Sequence, residues 1–359
     1  MVWLLFIIVV LLLTHLGSMR GRYRWIYRIA LLLVLSLMTG IGSPVGQDHH
    51  AYVDMFYRYK QFSDLTDIRM ILNSYAIEPG YILLNVIGNL FHMTEPVFFI
   101  FLSILMNIGI LYCLFQFRNP VLAILVFVLT INYVQEVNLV RQSIAISIYV
   151  IAIMKLMKGN YKKYYILLFV AFLFHSTIVT LVPFSALGYL DLNKYKINIF
   201  YLSFFLWVFS ILVFAGVSSI PYLDSILQIF GDSRFSSYSS GSNDMGLDNV
   251  GFNYSYNFMF LLVLLSMKTE VNLTKVLILI GIVLLNLNLP MTTRIALYFI
   301  VFIPLTCGEY IVKSTYLRTP WIYQAISMYK VLIILYWGYN LVFSNILGRP
   351  LLGAEFYTL

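Results

Sequence analysis

Charged side chains are scarce in this chain of 359 residues: Asp, Glu, Lys and Arg make up 11% of it, and hydrophobic residues make up 61%. A soluble domain needs far more charge to cover its surface, so the composition excludes an ordinary soluble protein. The apolar residues form long runs, most of them near the roughly 20 residues that span hydrocarbon. The runs are Met1–Leu16, Ile26–Ile41, Pro96–Phe117, Pro120–Tyr133, Ser143–Met157, Tyr164–Leu190, Ile197–Ile220, Phe258–Met267, Leu273–Leu289, Ile295–Cys307 and Tyr329–Leu347.

These runs favour an all-α polytopic membrane protein with about 10–12 transmembrane helices. We expect a single integral membrane domain over residues 1–359, with no soluble domain. Cysteine is nearly absent: Cys113 and Cys307 both lie in apolar runs, which give no disulfide or zinc pattern. The sequence also has no internal repeat, no low-complexity tract and no phosphate-binding loop.

The net charge of +8 resembles that of a nucleic-acid-binding protein, but its distribution indicates membrane topology. Lys and Arg stay in cytoplasmic loops because translocating them is costly. Two longer polar stretches, at about residues 44–95 and 221–253, then fall on the outer side. We therefore expect a lipid bilayer around the chain and no nucleic-acid partner. The cytoplasmic clusters are Arg20–Arg28, Lys155–Lys163, Lys268 with Lys275, and Lys313 with Arg318.

Two apolar segments do not fit a simple crossing, so we expect one or two re-entrant segments. Ile77–Met93 has both ends on the outer side, which predicts a re-entrant or interfacial helix with Pro79 in its first turn and Glu78 at the positive end of its dipole. Tyr164–Leu190 is too short for two full helices and long for one. If both ends are cytoplasmic, it forms a hairpin that turns near His175 or Pro183.

The outer segment Val45–Lys60 predicts a helix with Asp48, Tyr52, Phe56 and Tyr59 on one face. Two interpretations stay open. The segment is an amphipathic interfacial helix, or its rings stack on sugar faces while carboxylates accept hydroxyl protons. A metal pair at His50 and Asp54 is a weaker alternative, because two ligands alone rarely define a site.

Two arginines are placed at the predicted outer starts of helices. Arg141, followed by Gln142, opposes the helix dipole, and Arg294 follows Pro290 and two threonines. A guanidinium suits bidentate phosphate binding, so together these arginines could hold a diphosphate. The alternative for Arg141 is an ion pair with Glu136.

Two further residues invite a functional interpretation. His175 lies in an apolar segment, where a polar side chain is expensive and marks a functional hypothesis. Its alternative is a neutral histidine that bonds a nearby carbonyl. Arg234, in the second outer stretch, either closes over a ligand or pairs with Asp232.

In their order and spacing, five short motifs resemble the EpsG family of bacterial Wzy-type polysaccharide polymerases. The resemblance covers nearly the whole chain, and its strongest part is "EPGYILLN" followed about 60 residues later by "RQS". One departure is the pair His49-His50, where related chains often carry tyrosine. The motifs are Gly46-x-Asp48…Tyr52, Glu78-Pro79-Gly80-Tyr81-x-Leu83-Leu84-Asn85, Arg141-Gln142, Phe174-His175-Ser176 and Thr293-Arg294-Ile295…Tyr298-Phe299.

The resemblance implies a metal-independent, GT-C-like glycosyltransferase without a cofactor in the bacterial cytoplasmic (inner) membrane. Its active site would face the periplasm and transfer a growing glycan from undecaprenyl diphosphate to the non-reducing end of a lipid-linked repeat unit. The family also meets a flippase and a chain-length regulator in its pathway. The rival functions are an O-antigen ligase, a transporter or flippase of lipid-linked sugars, and a membrane acyltransferase.

Residues and resemblance together give one set of predicted roles. Asp48 or His175 is the general base, with Glu78 as the third choice, because a carboxylate or imidazole must accept the acceptor hydroxyl's proton. Arg141, Arg294 and Gln142 bind the diphosphate. Tyr52, Tyr59, Tyr81 and Arg234 are the candidates for sugar contacts.

Overall fold

A computed structural model of the chain describes residues 2–19, 21–42, 49–59, 77–117, 119–128, 139–214, 257, 260–261, 263–264, 267, 271–287 and 290–305. Within these ranges the fold is all-α, as predicted, and contains no strand. The helices are α1 (Val2–Ser18), α2 (Arg24–Gly42), α3 (His49–Arg58), α4 (Pro79–Leu90), α5 (Glu95–Leu114), α6 (Pro120–Phe127), α7 (Val140–Leu156), α8 (Tyr161–Phe172), a 3₁₀ helix (Ser176–Tyr189), α9 (Lys196–Phe214), α10 (Leu273–Asn286) and α11 (Pro290–Ile300).

The described residues up to Gly188 belong to a first compact unit, and those from Tyr189 to Phe302 to a second. In the first unit α5 packs against both α2 and α7, and α7 packs against α8. The backbone N–H of Gly109 on α5 donates to the hydroxyl of Ser147 on α7, 3.0 Å away. Small residues at such contacts let apolar helices approach closely, as they do in membrane helix pairs.

Helix α5, with 20 residues, is the one helix in the described ranges that is long and apolar enough to cross a membrane. Shorter apolar helices include Leu5–Ser18, Lys196–Leu212 and Leu273–Asn286. Large apolar side chains on α1 and α9 are exposed, for example Leu5 at 62% and Phe205 at 66%. Water-exposed surfaces rarely carry contiguous apolar patches. The number of crossings stays a prediction.

Helix α4 begins as the sequence predicts, with Glu78 as its N-cap residue and Pro79 in the first turn. Its 12 residues give a length of about 18 Å at 1.5 Å per residue. Hydrocarbon is about 30 Å thick, so α4 by itself is too short to cross it. The chain turns at Phe91–Met93, with His92 in the left-handed region at φ 49°, and α5 starts at Glu95.

The segment Tyr164–Leu190 forms the hairpin that the sequence predicts. Helix α8 ends at Phe172, and the 3₁₀ helix returns along it, with the Tyr165 hydroxyl 3.2 Å from the Ser185 hydroxyl. Gly188 lies against Leu156, so the 3₁₀ helix returns to the end of α7 that precedes α8. Of the two predicted turning points, the chain turns near His175, and Pro183 lies inside the 3₁₀ helix.

The placement of α4 on the outer side is tested by cysteine labelling in a background with Cys113→Ser and Cys307→Ser. We expect His50→Cys and Thr94→Cys, both at exposed positions, to react with an impermeant thiol reagent in intact cells. Lys158→Cys, an exposed position in a predicted cytoplasmic loop, should react only after lysis. Protection of Thr94→Cys while His50→Cys reacts would mean that α4 is part of a crossing.

In the second unit, α10 packs against α9 and α11 around a buried polar network. The amides of Asn257 and Asn286 bond each other at 2.8 and 3.0 Å. Trp207 donates to Asn257 at 2.7 Å, and Asn286 donates to the Ser210 hydroxyl at 3.2 Å. Buried amides are costly unless satisfied, so these bonds fix how α9 and α10 pack.

Candidate functional site

The carboxylate of Glu78 connects α4 to two other parts of the first unit. Its Oε2 accepts a hydrogen bond from Nη1 of Arg141 at 2.5 Å. Its Oε1 accepts one from the backbone N–H of Ser176 at 3.3 Å. Glu78 thus joins the start of α7 to the turn of the hairpin.

The next residues of the "EPGY" motif bring α4 against that turn. The backbone N–H of Gly80 donates to the carbonyl of Leu173 at 2.7 Å. A Cβ atom at position 80 would lie 2.7 Å from the same oxygen and 3.1 Å from the Phe174 ring. A larger residue would therefore push the turn away, so the short bond requires glycine.

Arg141 lies in the first turn of α7, as predicted, with its guanidinium between two elements. Besides its ion pair with Glu78, it donates a hydrogen bond to the Tyr52 hydroxyl on α3. Its Nε is buried and has no hydrogen-bond partner in the described part of the chain. The alternative partner, Glu136, lies outside the described residues. Arg141 is thus anchored and keeps one buried donor.

Two of the tyrosines predicted to contact sugar, Tyr52 and Tyr81, lie near Arg141. Tyr52 and Tyr81 pack edge to face with ring centroids 5.6 Å apart, and Tyr59 is near enough to Tyr81 to interact electrostatically. All three are buried, with at most 4% of the residue exposed. Tyr52, Phe56 and Tyr59 do share one face of α3, and Phe56 stacks on Phe98 at 4.5 Å. The sugar contacts stay a prediction.

His175 lies at the hairpin turn, in the non-helical link between α8 and the 3₁₀ helix. It is 7% exposed, and its Nδ1 is 2.6 Å from the Thr177 hydroxyl. It is also near enough to Glu78 to interact electrostatically. Thr177 was missed from the sequence, although a hydroxyl two residues after a buried histidine could have signalled it.

The charge state of Glu78 follows from opposing effects on its pKa. Burial, the largest effect, raises the pKa, whereas Arg141, His175 and the backbone hydrogen bonds lower it, and the net result is a lowered pKa. The carboxylate is therefore ionised at neutral pH. Because the folded-state pKa is depressed, the stability from this ion pair is present at neutral pH. It is lost as the pH falls through the lowered pKa.

The sequence also predicts Gln142 and Arg294 as ligands of the diphosphate. Gln142 is buried next to Arg141 on α7, and Arg294 lies on α11 in the second unit. Asp48 and Arg234 lie outside the described residues. We call the set Tyr52, Glu78, Tyr81, Arg141 and His175 the outer cluster.

The polar residues of α3 outside the outer cluster do not form a metal site in the described ranges. His50 and Asp54 are exposed, and among the described residues no group of three or more His, Cys, Asp or Glu could hold a metal ion. His49 is buried instead, with its Nε2 3.4 Å from the Glu95 carboxylate and its ring 4.9 Å from Phe99. This contact ties the start of α3 to the start of α5.

The outer cluster contains a guanidinium and an imidazole that both interact with Glu78. An anchored guanidinium can bind phosphate oxygens, and an imidazole can accept a proton from a hydroxyl. The two groups meet through Glu78, although their sequence positions are far apart.

The chain matches a known protein family. No curated protein and no solved structure matches the chain. The sequence matches the EpsG family over residues 25–350, which is most of its length and includes every residue of the outer cluster. This family of membrane proteins is associated with polysaccharide polymerases. The chain therefore belongs to the EpsG family.

Proposed function

We propose that the protein is a Wzy-type polymerase of the bacterial cytoplasmic membrane that works on its periplasmic face. It transfers a growing glycan from undecaprenyl diphosphate to the non-reducing end of a lipid-linked repeat unit. A flippase would supply that unit, and a chain-length regulator would act on the product. The single observation that supports this reaction best is the Arg141–Glu78 ion pair, because the same carboxylate also interacts electrostatically with His175.

The reaction forms one bond and breaks one. The acceptor hydroxyl oxygen attacks the anomeric carbon of the growing chain, and the bond from that carbon to the diphosphate oxygen breaks. The diphosphate leaves with the bonding electron pair, and its charge is stabilised by Arg141 and, as the sequence suggests, by Arg294. The hydroxyl proton passes to His175 or Asp48.

The short lengths of α4 and α8 support a site at the periplasmic face of the cytoplasmic membrane. Neither α4 nor α8 has the length of a crossing, with 12 residues each. Irregular backbone at membrane depth is tolerated where it is buried in protein or lines a wet cavity. The turn at Leu173–His175 and the start of α4 thus form a wall against which a lipid-linked diphosphate can bind.

The proposal is tested with purified protein and a synthetic undecaprenyl-diphosphate repeat unit as both donor and acceptor. A ladder of longer lipid-linked glycans on a gel is expected, and a chelator should leave its rate unchanged. Transfer to lipid A without any ladder would indicate a ligase. Movement of the repeat unit across vesicles without elongation would indicate a flippase.

A further inference from the structure

Building on the proposed function, we propose that Glu78 is a positioning residue that holds Arg141 and the His175 turn in one arrangement, and is not the general base. Both of its carboxylate oxygens are already engaged, Oε2 by Arg141 and Oε1 by the Ser176 N–H. The sequence offered Glu78 as a third candidate for the base, and the contacts assign it another task.

Two partners fix the direction in which Arg141 is held. Glu78 accepts a hydrogen bond from Nη1, and Tyr52 accepts a second one from the guanidinium. A planar guanidinium fixed in this way has a set orientation, so its buried Nε is aimed at one place. Without Glu78 the side chain could rotate, and the donor would no longer point where the phosphate oxygen arrives.

Glu78 also holds the backbone of the His175 turn. Two hydrogen bonds tie the turn to α4: Ser176 N–H to Glu78 and Gly80 N–H to Leu173. His175 lies between Leu173 and Ser176, so these bonds hold the backbone on both sides of the imidazole. Removing the carboxylate loosens one side, and Gly80→Ala would push on the other.

The contacts of Glu78 also fix its charge. A general base gains a proton during the reaction, whereas Glu78 is kept ionised by a cation and a backbone donor. Protonating it would break the ion pair that orients Arg141. Glu78 therefore acts through a negative charge that stays constant during the reaction.

The test compares Glu78→Gln with Glu95→Gln, a matched control that removes the carboxylate contacted by His49 and Tyr57. Turnover at saturating repeat unit, its pH profile and hydrogen–deuterium exchange are measured for both variants. Glu78→Gln should lower turnover by about 100-fold through misplacement, while the acid side of the pH profile keeps its shape. Glu95→Gln should leave turnover and profile unchanged.

Hydrogen exchange provides a readout that does not depend on polymerisation. Amides of residues 173–177 should exchange faster in Glu78→Gln than in wild type, and those of α5 should not. In Arg141→Lys, adding Glu78→Gln should cost little more, because both changes act on one guanidinium.

Three results of the turnover assays would overturn the positioning role. They are wild-type turnover in Glu78→Gln, loss of the acid side of its pH profile, or multiplicative losses in the double variant. Unchanged exchange at residues 173–177 would also contradict it. If wild type makes no polymer while the exchange difference appears, the proposed reaction fails and the structural role of Glu78 stands.

Discussion

Arg141→Lys is expected to lower polymerase turnover by about 10²–10³-fold, the usual loss when one preorganised oxyanion donor is removed. Lysine keeps the positive charge and can still pair with Glu78. It lacks the planar fork, so it cannot bond Glu78 and present a second fixed donor to a leaving phosphate. The measurement is turnover of purified variant at saturating repeat unit, with polymer length read on a gel.

The matched control for this change is Arg28→Lys, at a predicted cytoplasmic position. Arg28 also uses its guanidinium structurally, since Nε donates to the Gly17 carbonyl at 2.9 Å and the group lies over the Phe115 ring. Arg28→Lys should alter stability while leaving turnover near the wild-type value. Full-length polymer from Arg141→Lys would reduce Arg141 to a structural ion pair.

Arg294→Lys is measured beside Arg141→Lys, because the sequence suggests that two guanidinium groups share the diphosphate. A loss as large as that of Arg141→Lys would place the α11 residue in the same step. Wild-type turnover would leave Arg141 as the arginine that binds the leaving group.

Local patterns in the sequence predicted the local structure well, for identifiable reasons. Pro79 favours a first helical turn because its missing N–H has no partner there anyway. The hairpin at His175 follows from the charged residues at the two ends of one apolar segment, which favour the same side of the membrane. Both outcomes depend on neighbours in sequence.

The assembly of the outer cluster could not be predicted in the same way. Glu78 and Arg141 are 63 residues apart, and only the packing of α3, α4, α5 and α7 brings them together. The nearer acid, Glu136, was the natural partner to propose from the sequence. The bond from Gly80 to Leu173 likewise joins distant segments. The sequence alone therefore does not show why position 80 requires glycine.

The burial of the aromatic side chains Tyr52, Phe56 and Tyr59 could not be predicted from the sequence either. The spacing of Tyr52, Phe56 and Tyr59 predicts a shared face, and the structure confirms it. The spacing alone does not show whether that face contacts a sugar, a lipid surface or other parts of the protein. In the structure Phe98 and Tyr81 cover it, so this face packs against protein.

His175→Ala is expected to lower turnover at saturating substrate by about 10²–10⁴-fold, the usual contribution of a general base. The side chain is buried beside Glu78, and its Nδ1 contact with Thr177 sets the orientation of the ring. Because the neutral imidazole accepts the proton, wild-type turnover should fall as the pH falls and the ring becomes protonated. His175→Ala should lose that acid-side fall. Replacing a histidine with a purely structural role would leave the fall unchanged.

Three matched variants make the result decisive. His50→Ala removes an exposed histidine of α3 and should turn over normally. Thr177→Val removes the hydroxyl that contacts Nδ1 and should cost less than His175→Ala, because the base remains but is held less well. Asp48→Asn is measured in parallel, since the sequence offers it for the same proton. If His175→Ala keeps wild-type turnover and its acid-side fall while Asp48→Asn loses both, the base is Asp48 and His175 serves the hairpin turn alone.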